Sequence, residues 1–404
     1  MKSWSVGLWL AVVVLQTQAS ERWVFEGKTG IGAAPVDGVY HHLDGAGRKH
    51  IAIAGNRVAV TWEDNHSGSP QVYVALKSLQ LRDFAAPLLA SSGREAYEPA
   101  IAVTGDNRFV LAYEQDASVF ARVLAGTELA EPILLGKTAA GHASVAAFDD
   151  RVYASWRERL NGLWFVKVAV LRVDSANRLS LESIRAIEDS GLPTPVQFPT
   201  IAANAAGISI AWEDRRAGHT RLLVSHAASA EQAFGEPQAL NEIFSNRNEY
   251  DKGNGVTRVS MAAFGEDEML AAWMDKRRGG AGYGIFAALG AADIFGPNEK
   301  VHGDEGDRQP HYNPATAGNS NGDFVVAWDD FRRGDLDIWI SSQNSDLEWS
   351  EDHAPAVASG PGEQSHASVA LDDEGNLHLL WIERSQPDSP SRLWYSMGRP
   401  AAAD

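Results

Sequence analysis

The chain has no cysteine among its 404 residues. That excludes a disulfide framework, a thiolate metal site and a cysteine nucleophile. It also lacks a basic excess: 35 Lys and Arg stand against 53 Asp and Glu, a formal charge of -18. A surface of that sign repels phosphate backbones and anionic lipid, so nucleic acid is not an expected partner. Long apolar runs are scarce as well. The first is Trp4 to Leu15, preceded by Lys2 and followed by the small-residue pair Thr17 and Ala19. Twelve residues fall short of the roughly 20 needed to span a bilayer, so residues 1–19 read as a cleaved secretory signal. Residues 20–404 are expected as one extracytoplasmic domain, periplasmic or secreted, with no membrane insertion after cleavage.

What the sequence does have is 13 Trp, 37 Gly and a repeat. Seven segments share an apolar run, a turn, a second apolar run ending in an aromatic, and usually an acid two positions later. Their cores include VAVTWEDNHSG (58–68), FVLAYEQDA (109–117), ISIAWEDRRAG (208–218) and FVVAWDDFRRG (324–334). The aromatics are Trp62, Tyr113, Trp156, Trp212, Trp273, Trp328 and Trp381, between 43 and 61 residues apart. An apolar run about 12 residues ahead of each aromatic suits a hairpin, and a third strand follows each polar loop. Four strands per unit at a period near 50 describe a β-propeller blade. The expectation is an all-β, seven-bladed propeller, with the weak second unit leaving six or eight open. The last unit lacks its fourth strand, and Arg22 to Gly27 is predicted to supply it.

A group needed in every blade builds the body, whereas a catalytic group is needed once. The recurring aromatics are therefore expected between sheets. The acids Asp64, Glu158, Asp214, Asp275, Asp330 and Glu383 are expected on loop amides or on the following Arg215, Arg277 or Arg332.

The segment SQNSDLEW (342–349) resembles the Asp-box of sialidase-like propellers, with Asn344 in the Asp position, and ALGAADIF (288–295) keeps its spacing and final aromatic. The repeated aromatic-acidic-Arg-Gly loop is similar to that of bacterial BNR-type propellers. The resemblance implies a propeller and admits an exo-sialidase-type glycoside hydrolase. Such enzymes hold a carboxylate with three Arg and use a Tyr activated by a Glu. Arg258, Arg48 and Arg308 would supply the cluster, Tyr250 or Tyr312 the phenol, and Glu249 or Glu98 the activating acid.

Independently of family, the positions that differ between units can form an asymmetric site. Aligning the first strands places Arg48, Glu98, His142, Phe198, Arg258, Asn313 and His366 together at one channel mouth, where a ligand is expected. Long loops around His41-His42, around Asn246 to Asp251 and around Asp304 to Tyr312 lead to the same face. Twelve His show no tight ligand spacing, and the acidic run Asp304 to Asp307 lacks the full calcium-loop pattern, so neither metal nor cofactor is expected. The first functional reading is a monomeric recognition module taking a glycan, peptide or protein at the mouth; the second is the hydrolase.

Overall fold

A computed structural model describes residues 21–32, 34–45, 47–189, 196–216, 218–242, 255–277, 282–343 and 348–401. The signal expected at 1–19 lies outside the described residues. The chain folds into seven antiparallel sheets and almost no helix, apart from short 3-10 turns such as Asp304–Gly306. Blade 1 runs from His41–His42 and Ile51–Ala54 through Arg57–Asp64 and Gln71–Ser78 to Leu88–Leu89. The innermost strands of blades 2 to 7 are Ala96–Val103, Ala140–Phe148, Gln197–Asn204, Thr257–Phe264, His311–Gly318 and Glu363–Leu371. The weak second unit is a full blade, which fixes the count at seven.

Each sheet is hydrophobic on both faces, so every face must meet a neighbour. All seven repeat aromatics are fully buried, and each sits against the preceding blade. Trp156 packs on Val110, Ala112 and Val119; Trp328 packs on Leu270, Ala272 and Ile285; Trp62 packs on Leu380 and Leu393 of the last blade. Seven apolar clusters result, one for each interface, and truncating one of these indoles would cost about 3 to 5 kcal/mol.

The acid two residues on stitches the outer loop. Asp330 accepts the Trp328 indole N–H at 3.1 Å, the Arg332 amide at 2.9 Å and the Arg332 Nε at 2.9 Å. Asp275 does the same for Trp273 and Arg277. In blade 4 the pairing differs from the expectation: Asp214 binds Arg216 at 2.8 Å, not Arg215. The geometry requires an arginine two positions after the acid, because only there do its own amide and guanidinium both reach the carboxylate.

The ends meet as expected. Trp23–Phe25 and Thr29–Ile31 both pair with Arg392–Pro400, with Val24 opposite Arg399 and Gly30 opposite Trp394. The last blade is thereby completed by the start of the chain, and its edge is removed. Lys28 adds an ion pair to Glu383 at 2.5 Å.

Candidate functional site

The mouth is defined by a defect repeated around the wheel. In blades 2 to 7 the inner strand skips register just before its apolar run, for example between Tyr97 and Ala100 and between Gln197 and Thr200. The residue at each bulge has left-handed backbone: Glu98 (φ 50°), His142 (55°), Phe198 (50°), Arg258 (59°), Asn313 (51°) and His366 (56°). Those are six of the seven ring positions, and none is glycine. Non-glycine residues pay of order 1 to 3 kcal/mol for this conformation and persist only where surroundings enforce it. A bulge turns one side chain out of the strand's alternation, here toward the mouth.

The enforcing groups were not singled out from the sequence. At four of the six bulges they are the middle residues of the aromatic-x-acidic motif. The Glu63 carboxylate accepts the Glu98 amide at 3.3 Å, Glu114 accepts that of His142, Glu213 accepts that of Arg258 at 2.9 Å, and Asp329 accepts that of His366 at 2.8 Å. Each belongs to the blade before the bulge it caps. The signal was in the letters, since WED, YEQ, WED and WDD all carry an acid in the middle.

Blade 1 has no such single-residue bulge. An insertion, described at residues 43–45 and 47–50, separates His42, opposite Glu63, from Ile51, opposite Val60. The insertion crosses the mouth and touches every other blade. The Ile101 amide donates to the Lys49 carbonyl at 2.8 Å, Arg48 Nε donates to the Ala143 carbonyl at 2.9 Å, and Thr200 Oγ1 donates to the Gly47 carbonyl at 3.2 Å. Lys49 Nζ reaches Thr316, and the His50 amide donates to Ser368 Oγ at 3.0 Å. Gly47, at φ 77°, lies against the Val259 carbonyl and Gly45 against Asn313, so a β-carbon at either would collide. The channel is plugged at this end.

Arg48 is the buried hub of the plug, 4% exposed. It pairs with Asp44, with Glu98 at 2.6 Å and with Glu114 at 3.5 Å. Its guanidinium is therefore committed within the protein. Arg258 is the more exposed arginine of the ring. It lies 3.7 Å from Asp44 and covers the Phe198 ring at 4.0 Å, while Phe198 stacks on His142 at 4.2 Å and 7°. His142 Nδ1 accepts the Phe198 amide at 3.0 Å. Asn313 donates to Asp329 at 2.8 Å, and His366 lies 5.9 Å from His42.

Proton affinities follow from this packing. Burial pushes His42 and His366 down to about 4 and His142 to about 2, so the mouth imidazoles are neutral. Burial raises Glu63 to about 7, and Asp329 likewise to about 7. Burial and the neighbouring Glu98 raise Glu114. Burial works against ionisation of Glu98 too, but Arg48 and a hydrogen bond from Glu114 outweigh it and hold Glu98 low. Proton affinity is thus divided within the pair, raised at Glu114 and lowered at Glu98.

The remaining sequence-predicted residues are not drawn into this group. Arg308 is exposed in the turn after the 3-10 helix, without an ion pair to the ring among the described residues. Tyr312 meets Tyr283 edge-on at 6.5 Å. Tyr250 and Glu249 lie outside the described residues, as do Asn344 and Asp346 of the Asp-box-like segment, whose Trp349 donates to Glu299 at 3.0 Å. Among the described residues no group of three or more His, Asp or Glu is arranged to hold a metal ion.

No protein-family model matches the chain. No curated protein matches either. Solved structures do. A protein of unknown function from Dyadobacter fermentans aligns over 94% of this chain and 100% of its own, at TM-score 0.55 and 11% identity. A fungal alcohol oxidase of the AA5 family, solved with copper, aligns over 94% of this chain and 77% of its own, at 0.53 and 9%. The polysaccharide lyase Uly1 aligns over 87% and 89%, at 0.50 and 11%. At such identities the likeness defines the class, a seven-bladed β-propeller with a carbohydrate-active enzyme among its structural neighbours.

Proposed function

We propose that this chain is an extracytoplasmic recognition protein that binds a glycan at the plugged mouth. The observation that carries the reading is the ring of six polar or aromatic side chains, of five kinds, held in backbone that is otherwise disfavoured. Strain repeated at one mouth, with chemistry varying from blade to blade, is what an asymmetric site demands. The stacked row His142, Phe198 and Arg258 fixes a cation, and Glu98, Asp44 and the Asn313 amide provide acceptors and a donor around it. Such spaced, rigid polar groups match hydroxyls or a carboxylate on a sugar, and the lyase neighbour agrees with this class of ligand. The chain acts as a monomer after removal of residues 1–19, with a peptide or protein ligand as the competing occupant.

The test is a glycan array followed by calorimetry on purified protein. Arg258→Ala should weaken binding at least tenfold with little change in Tm, and Glu98→Gln should weaken it as much while also lowering Tm, because it takes a counter-ion from the buried Arg48. Binding indifferent to both variants, or no glycan bound, would overturn the reading.

The second reading, a sialidase-type hydrolase, draws on the Glu98 and Glu114 pair with its divided proton affinities. Arg258, Arg48 and Arg308 would hold the substrate carboxylate, with Tyr312 or Tyr250 as nucleophile and Glu249 beside it. Release of a fluorescent phenol from a sialoside, abolished in Arg258→Ala, would put this reading first.

A further inference from the structure

Below the plug, the channel is an apolar tube. Its lining repeats one small residue at the same register in each blade: Ala52, Ala102, Ala146, Ala202, Ala262, Ala317 and Ala370. With the flanking Ile, Val and Met side chains these enclose about 250 Å³. The far mouth, about 560 Å³, shares its deepest residues with the tube, among them Ile53, Val103, Ala147 and Leu371. Solvent therefore enters from the far side and stops at the plug.

One ionisable side chain faces that blind end. Lys49 comes from the plug, lines the tube and keeps partial exposure although it stands at the centre of the molecule. Its Nζ lies within hydrogen-bond reach of the Thr316 carbonyl and, at 3.0 Å, of Thr316 Oγ1. Among the described residues no carboxylate pairs with it. A lysine lining an apolar cavity without a counter-ion favours the neutral amine, and burial pushes Lys49 down to about 7. A neutral amine has two hydrogens and one lone pair. Thr316 offers two acceptors for the hydrogens, which leaves the lone pair for whatever enters the tube.

We propose that Lys49 is a reactive amine at the closed end of the channel and that the channel is a site for small apolar aldehydes, captured as imines. The nitrogen lone pair attacks the carbonyl carbon and forms the C–N bond, and the carbonyl oxygen takes up the proton the nitrogen loses. In the resulting carbinolamine the remaining N–H proton passes to the hydroxyl, the C–O bond breaks, and water leaves to give C=N. No oxidant or other reactant is consumed, and water reverses the step. Thr316 Oγ1, itself 3.0 Å from Ser260 Oγ, is placed to pass the proton. The entrance selects for a neutral guest. Asp149, Glu266, Asp372, Asp373 and Glu374 line the far mouth with no Lys or Arg among its lining residues, so an anion of the same size is repelled. Away from Lys49 and Thr316 the walls carry no hydrogen-bonding side chain, so the tube favours a guest whose body is apolar.

The native protein serves for the test, with butanal and sodium cyanoborohydride at pH 7.5 and peptide mapping by mass spectrometry. An ordinary lysine with pKa about 10.4 is about 0.1% neutral at that pH, whereas an amine titrating near 7 is mostly neutral. Lys49 should acquire the butyl group at least about tenfold faster than the exposed Lys137. Narrowing the tube with Ala262→Leu should slow Lys49 and leave Lys137 unchanged. Labelling of Lys49 no faster than Lys137 would overturn the proposal. Protection of Lys49 by butyrate would also overturn it, in favour of a carboxylate site. Neither readout depends on glycan binding.

Discussion

Glu63 shows what a single buried acid does at this mouth. It caps the strained Glu98 amide while its own proton affinity is raised to about 7 by burial. In the unfolded chain the same carboxyl titrates near the ordinary value of 4.5. Between these pH values the folded state holds a proton that the unfolded state has lost. Its contribution to stability is therefore present below about 4.5 and is lost as pH rises through 7. Glu63→Gln keeps an acceptor for the Glu98 amide but removes the titration. The Tm of this variant relative to wild type should rise as pH goes from 5 to 8, measured by thermal melts in matched ionic strength. A constant difference across that range would show that Glu63 is ionised throughout. The mouth histidines run the opposite way: neutral when folded and protonated when unfolded below about 6.5, they lose stability as pH falls.

At the scale of the strand, the bulge is a trade. It costs backbone strain in six blades, and it gains a side chain directed at the mouth. His366, at φ 56°, tests the balance, since glycine adopts that backbone without the β-carbon penalty while alanine does not. His366→Gly should be at least as stable as His366→Ala, by up to about 1 kcal/mol in urea unfolding, because strain relief offsets the greater unfolded-state freedom of glycine. In a helix interior or a regular strand the order would be reversed. The insertion at 43–50 is a different solution for the same position. There the strand is broken outright, and the segment is held by contacts to all the other blades.

At the scale of the whole wheel, stability rests on seven similar interfaces and one closure. Because the ends share the last sheet, losing the first strand exposes an edge and unpacks Trp23 from Leu371 and Leu377. Deleting residues 21–27 should lower Tm by many degrees in scanning calorimetry; an unchanged melt would mean that the wheel closes without it. With no disulfide to hold the ends, the Trp23–Phe25 pairing, the Thr29–Ile31 pairing and the ion pairs of Lys28 and Arg22 do that work. The plug at one mouth and the acidic rim at the other make the two ends chemically unlike, so the proposed glycan site and the proposed amine pocket would be occupied independently.

The sequence by itself determined the wheel. Seven aromatics at a near-constant period, hairpin spacing and a missing last strand leave little freedom once every face must be covered, and interfaces between neighbours in sequence are local enough to read from spacing. It also marked seven variable positions, six of which stand at left-handed bulges, because variation against a repeat is visible in the letters. Tertiary structure alone decided what those positions do. The acid that caps four of the six bulges lies one blade back, the arginine that looked free to bind, Arg48, is neutralised by Asp44 and Glu98, and Lys49 lines an apolar tube. Apart from the local Asp44–Arg48 pair, these contacts join residues that lie in different blades and far apart in the chain, from Glu114 and His142 to Lys49 and Thr316, so they are set by how the blades close in three dimensions and no periodicity along the chain encodes them.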